Sequence, residues 1–166
     1  PPHYNIIVNG LLINDGFIIN AEHGEAGSSK NYDFTIFIDR SLDIQEIKIN
    51  YDNNNTPPVP FTDQNNDDIN DWDRNLYVNS IQINGELFDT FTLDGTSTHD
   101  DINVYYDAPG IYNYMENNPD QTNYNDNGVS SNGAMAWDGN MVFEIPTKYF
   151  MTNINTNVTQ DWFDIN

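Results

Sequence analysis

The sequence predicts an all-β fold, an antiparallel β-sandwich of jelly-roll-like form with long loops, on three observations. Ile, Val, Tyr and Phe recur in short alternating segments, with almost no pattern at the 3.6-residue period of a helix. Between these segments lie clusters of Asn, Asp and Gly, and the 28 Asn residues favour turns over helix interiors. Several Asn-Gly and Asp-Gly pairs separate apolar runs, the dipeptides of tight hairpin reversals. A chain of 166 residues, 37% of them hydrophobic, can bury one sizeable core.

Taken in order, the expected strands cover residues 4–8, 11–14, 17–20, 33–39, 44–51, 76–84, 88–93, 103–106, 133–137 and 141–145, with a last piece near 157–165. Asn9-Gly10, Asp15-Gly16, Asn84-Gly85, Asp94-Gly95 and Asp138-Gly139 are the expected reversals. Alternation is clearest at Ile47, Ile49 and Tyr51. Along 76–84 it changes phase near Ser80, as at a bulge or a strand covered on both faces. Residues 52–73 and 107–132 have no strand pattern and exceed the usual length of a structureless connection, which points to function or to a clasp other than a core.

Charge narrows the function. Five Lys plus Arg against 26 Asp plus Glu give a net charge of −21, so nucleic acid is excluded as a partner and an anionic membrane surface repels the chain. No apolar run approaches the roughly 18 residues of a spanning helix. No Cys is present, so disulfides and thiolate chemistry are excluded. Pro1-Pro2 opens the chain without a leader pattern, as in a processed protein or an excised domain.

So much negative charge attracts metal cations. Calcium takes about 6–8 oxygen ligands from carboxylates, amides, carbonyls and water, and both long segments are stocks of those donors. The first holds Asp52, Asp63, Asp67, Asp68, Asp71 and Asp73; the second holds Asp107, Glu116, Asp120 and Asp126. Asp63, Asn65 and Asp67 have the spacing of the first three EF-hand ligands. The sixth residue is Asp68 instead of Gly and the twelfth is Arg74 instead of Glu, so an EF-hand is rejected. The scattered His3, His23 and His99 argue against a transition metal. Neither a nucleophile elbow nor a phosphate loop nor a metalloprotease helix is present, and the expectation is a protein without catalysis.

A strand over 44–51 ending at Asp52, the acidic segment, and then Asp73-Arg74-Asn75-Leu76-Tyr77-Val78-Asn79 running to Asn84-Gly85 together resemble the calcium-dependent xylan-binding type of carbohydrate-binding module. In that family an Asn-Asp strand end is followed by a variable loop and then by a strand beginning Asp-Arg-Asn-Leu. The early 5–10 segment and Ala136-Trp137-Asp138-Gly139 through Pro146 extend the similarity, which is strongest over 73–85. The resemblance implies a β-sandwich in which Ca2+ at a loop end is completed by vicinal hydroxyls of a xylan-like glycan. It implies Asp52 and Asp73 as metal ligands, with Asp73 also at the sugar and Trp72 or Tyr51 as a stacking ring. The family's first Asn is Tyr51 here and its later Asp is Asn79, a neutral oxygen donor. The acids of the longer loop, Asp63, Asp67 and Asp71 among them, are candidates for a second, closed calcium site.

The module is expected over residues 1–146, with 147–166 as a C-terminal extension that fills the place of a missing first strand, in its own chain or in a neighbour. Two functional expectations follow, both extracellular or on the cell surface. One is non-catalytic, calcium-dependent binding of polysaccharide. The other is a calcium-stabilised structural subunit of a filament, sheath or surface layer, whose partners are copies of itself.

Overall fold

The computed structural model describes residues 3–18, 32–52, 76–90 and 99–151. It is mostly β and its ladders are antiparallel. Among the described residues, nine strands and two helices follow in the order β1 His3–Val8, β2 Leu11–Ile18, β3 Ile44–Tyr51, β4 Leu76–Tyr77, β5 Ser80–Ile83, β6 Glu86–Asp89, β7 Asn103–Asp107, α1 Pro109–Asn117, β8 Ala134–Met135, β9 Gly139–Pro146 and α2 Lys148–Met151. Five strands form one sheet in the order β2-β1-β3-β9-β7, while β4 pairs with β8 and β5 with β6.

Alternation assigns the faces of the large sheet. Tyr4, Ile6 and Val8 of β1, Tyr51 of β3, Met141, Phe143 and Ile145 of β9, and Val104 and Tyr106 of β7 point to one side and are buried. They form a single cluster with Leu76, Val78, Ile83, Phe88, Met135, Val129 and Ile111, so the short ladders and α1 cover this face. Gln45 of β3 is the polar member of the same face and is 0% exposed. Its Oε1 accepts from Asn9 Nδ2 at 2.7 Å and from the Asp39 N–H at 3.1 Å. Its Nε2 donates to the Asp39 carbonyl at 2.7 Å and to Thr147 Oγ1 at 2.9 Å. One amide thus ties the 9–10 turn, the approach to β3 and the residue after β9, and its burial is offset by full pairing.

The Asn-Gly signals at 9–10 and 84–85 are reversals as expected, with both residues of each pair at positive φ (48° and 81°, 50° and 81°), the backbone that a type I′ turn requires. The other pairs behave differently. Asp15-Gly16 lies inside β2, opposite the single residue Asn5 between the Tyr4↔Phe17 and Ile6↔Asn14 pairs. Those two residues form a bulge, so the expected strands 11–14 and 17–20 join into one. Asp138-Gly139 leads into β9 without a hairpin, because β8 pairs with β4 whereas β9 pairs with β3 and β7. Asp94-Gly95 and the expected strand near 157–165 lie outside the described residues.

The phase change near Ser80 is a change of sheet: β4 ends at Tyr77 and β5 begins at Ser80. Residues 33–39 keep the alternation, with Phe34 and Ile36 against the core and Phe37 86% exposed, but form no ladder. Periodicity reports burial of alternate residues, and a strand also needs a neighbour. The expected irregular segment 107–132 contains α1. Pro109 supplies the fixed φ of a first helical turn, and Ile111, Tyr114 and Met115 share the i, i+3, i+4 stripe that meets the core. The rest of that segment is held by its own amides. Asn125 Oδ1 accepts from the N–H groups of Asn127 and Val129 at 3.0 Å each, and Asn127 Nδ2 donates to the Val104 carbonyl at 2.9 Å.

No helix among the described residues is long and apolar enough to cross a membrane.

Candidate functional site

The end of the large sheet where β3 and β7 finish and β9 begins gathers the candidate side chains. Tyr51 pairs with Tyr4 on one side and with Gly139 on the other, so Asp52 and Asp138 stand one residue beyond the same rung. Asp107, the last residue of β7, pairs with Asn140. Ladder register therefore brings three carboxylate residues, distant in sequence, to one sheet end. The acidic segment 53–75 leaves from that end.

The next rung is polar on the face opposite the core. Asn5 Nδ2 donates to Asn50 Oδ1 at 3.1 Å, and Asn50 Nδ2 donates to Asn140 Oδ1 at 3.0 Å. Asp107 closes the row as the acceptor of the Tyr112 hydroxyl of α1 at 2.8 Å. That hydrogen bond to a carboxylate is the main reason the Tyr112 phenol is pushed up to about 12, with burial second. Asp52 and Asp138 are exposed and Asp107 is half-buried. None of the ion pairs among the described residues, Lys48–Glu46, His99–Glu86 and Lys148–Asp101, involves Asp52 or Asp107. The row offers carboxylate and amide oxygens, groups that accept from a hydroxyl or ligate a hard cation.

Beside this end lies an aromatic group. Trp137 precedes Asp138, and its ring is 5.8 Å from that of Tyr114 and 6.0 Å from that of Tyr124, centroid to centroid. All three are half-buried against the core. Tyr106 fixes the Trp137 backbone from below. Its hydroxyl donates to the Trp137 carbonyl and accepts from the Trp137 N–H at 2.8 Å. Burial holds the Tyr106 phenol well above its ordinary range.

The residues expected to bind metal and sugar divide as follows. Asp52 is at the end of β3 and solvent-exposed. Asn79 is exposed between β4 and β5, and its carbonyl accepts from the Thr90 N–H at 3.0 Å. Tyr51 is 0% exposed and belongs to the core cluster, so its ring has no free face on which a sugar could stack. The reason is alternation: Tyr51 shares the inward face with Ile47 and Ile49, whereas Asn50 points the other way. Asp63, Asp67, Asp71, Trp72 and Asp73 lie outside the described residues. Among the described residues, no three His, Asp or Glu side chains form a group that could hold a metal ion. A cation at this end would need donors from 53–75. Asp138, Asn140 and Tyr112 are the members of the site that sequence reasoning passed over. Asp138-Gly139 has the form of a turn, and Tyr112 lies on a helix that the Asn-rich composition hides.

Scanning family models and searching curated proteins and solved structures found no match.

Proposed function

We propose that this chain is a calcium-dependent β-sandwich module that binds polysaccharide at one end of its large sheet and carries out no chemistry on it. One observation supports this above the rest: ladder register collects Asp52, Asp107 and Asp138 where the most acidic segment of the chain departs. In this reading Asp73 and members of the Asp63, Asp67 and Asp71 group complete the calcium shell, with Asn79 as a further oxygen donor. The cation keeps open positions for the vicinal hydroxyls of a xylan-like glycan. Asn140 and Tyr112 are polar neighbours able to hydrogen-bond the sugar, and Trp72 remains the candidate stacking ring.

Calorimetric melting in chelator and in millimolar calcium tests the reading. Calcium should raise the melting temperature, the gain growing with the logarithm of free calcium over its dissociation constant. Asp73→Ala should remove most of that gain, and Asp120→Ala little of it. An unchanged melting temperature in wild type would overturn calcium dependence. Equal effects of the two substitutions would move the site elsewhere.

A second reading, the self-assembling structural subunit, draws on a different observation. Among the described residues β2 is one of the two outer strands of the large sheet, with Leu11 71% and Leu12 56% exposed. An exposed apolar edge is a template for a strand from another copy. Light scattering separates the readings: growth into large particles on adding calcium favours the subunit, whereas a calcium-bound monomer that binds a glycan array favours the module.

A further inference from the structure

Asn followed by Gly is prone to cyclise, because a glycine nitrogen has no side chain beside it and its backbone reaches conformations closed to other residues. The chain has four such pairs, at 9–10, 84–85, 127–128 and 132–133. In each, the Gly nitrogen can attack the Asn side-chain carbonyl carbon only if the amide turns toward it. Hydrogen bonds and packing decide where that motion is possible.

Three pairs are held in place. Asn9 Oδ1 accepts from the Glu46 N–H at 2.8 Å, while its Nδ2 donates to the buried Gln45 at 2.7 Å. Asn127 Nδ2 donates to the Val104 carbonyl at 2.9 Å, and the Gly128 nitrogen, the nucleophile of that pair, donates to the Asn125 carbonyl at 2.9 Å. Asn132 Oδ1 accepts from Ser130 Oγ at 2.7 Å, and the buried Gly133 donates to the Ser130 carbonyl at 3.0 Å.

The fourth pair is placed differently. Asn84 and Gly85 are both exposed at the tip of the β5–β6 hairpin, and a Cβ on Gly85 would meet no atom within 4 Å. Gly10 has the same space, but its turn is tied through Asn9 to the five-stranded sheet. The β5–β6 ladder is two strands wide, and such a ladder opens at its tip more easily than a wide sheet does. Asn84 Nδ2 also donates to the Tyr149 carbonyl of α2 at 3.1 Å, a contact at the surface.

We propose that Asn84 is a site of spontaneous deamidation, and that its modification loosens α2 from the β5–β6 hairpin. The Gly85 nitrogen loses its proton to solvent base and attacks Asn84 Cγ. The N–Cγ bond forms, the Cγ–Nδ2 bond breaks, and Nδ2 leaves as ammonia after taking a proton from water. Water then opens the resulting succinimide at one carbonyl or the other, giving aspartate or isoaspartate; nothing is oxidised or reduced. Either carboxylate is an acceptor only, so the donor to the Tyr149 carbonyl is lost. Isoaspartate also lengthens the backbone at a residue whose φ of 50° belongs to type I′ geometry.

Incubating the intact protein in mildly alkaline buffer, followed by proteolysis and mass spectrometry, tests the site. The peptide holding 84–85 should gain the mass of an amide-to-acid exchange several-fold faster than the peptides holding the other three pairs. In denaturant the four rates should converge. Equal rates in the folded protein, or a faster rate at another pair, would overturn the assignment, as would the same ranking in denaturant. The effect on α2 is read by hydrogen exchange at 148–151, in Asn84→Asp and in the deamidated fraction separated by its added charge. Both should exchange faster there than the unmodified protein, and unchanged exchange in both refutes the loosening.

Discussion

Gln45 illustrates how much one residue can hold. Its amide is fully buried and bonds to Asn9, Asp39 and Thr147, which belong to three separate segments. Gln45→Leu keeps the volume but orphans the Asp39 N–H and the Asn9 amide. Each of the four hydrogen bonds lost is worth about 0.5–1.5 kcal/mol. Stability should fall by at least about 2 kcal/mol, measured as a shift of the denaturation midpoint without a change in slope. Nothing in the sequence marks this glutamine, because an isolated Gln in an alternating strand reads as solvent-facing. Tyr51 is the reverse case. Its alternation with Ile47 and Ile49 is legible in the sequence, but that it lies on the core face, 0% exposed, is decided by the structure.

Among the elements, the β4–β8 ladder depends on a close approach. Gly133 has φ +68°, and a Cβ there would lie 2.0 Å from the Val78 carbonyl oxygen, whose own N–H donates to the Gly133 carbonyl at 2.9 Å. Gly133→Ala meets both left-handed strain and backbone overlap. It should cost more than about 2 kcal/mol and selectively raise hydrogen exchange at Val78 and Met135. The strands 4–8, 44–51, 103–106 and 141–145 were legible to within a residue or two. All four belong to the large sheet, three in its interior and 103–106 at its β7 end, and each turns alternate residues to the core face, which imposes period two. The short strands, the β2 bulge and α1 were less legible. Asp15-Gly16 suits a bulge as well as a turn, and only the residue opposite decides between them.

For the whole molecule, the boundary expected at 146 falls inside packed structure. Thr147 is buried, accepts from Gln45 Nε2 at 2.9 Å and donates to the Leu42 carbonyl. Tyr149 packs edge-on against Phe88 at 5.7 Å, and Lys148 pairs with Asp101. Residues 147–151 therefore pack against the body. Two truncations check this by thermal melting. Removing 147–166 should destabilise the protein by about 2–4 kcal/mol more than removing 152–166, from two buried hydrogen bonds and the aromatic contact. Equal melting temperatures would return 147–151 to the extension.

The sequence by itself determined the β character, the central strands, the Asn-Gly reversals and the acidic excess, since each follows from local composition or from a period that one buried face enforces. Tertiary structure alone decided which strands are neighbours, that Asp52, Asp107 and Asp138 share an end, and that distant strands hold Asn9 and Asn127 while Asn84 stays exposed. Those facts depend on ladder register and on side-chain packing between distant segments, and no local pattern encodes the partner across the gap.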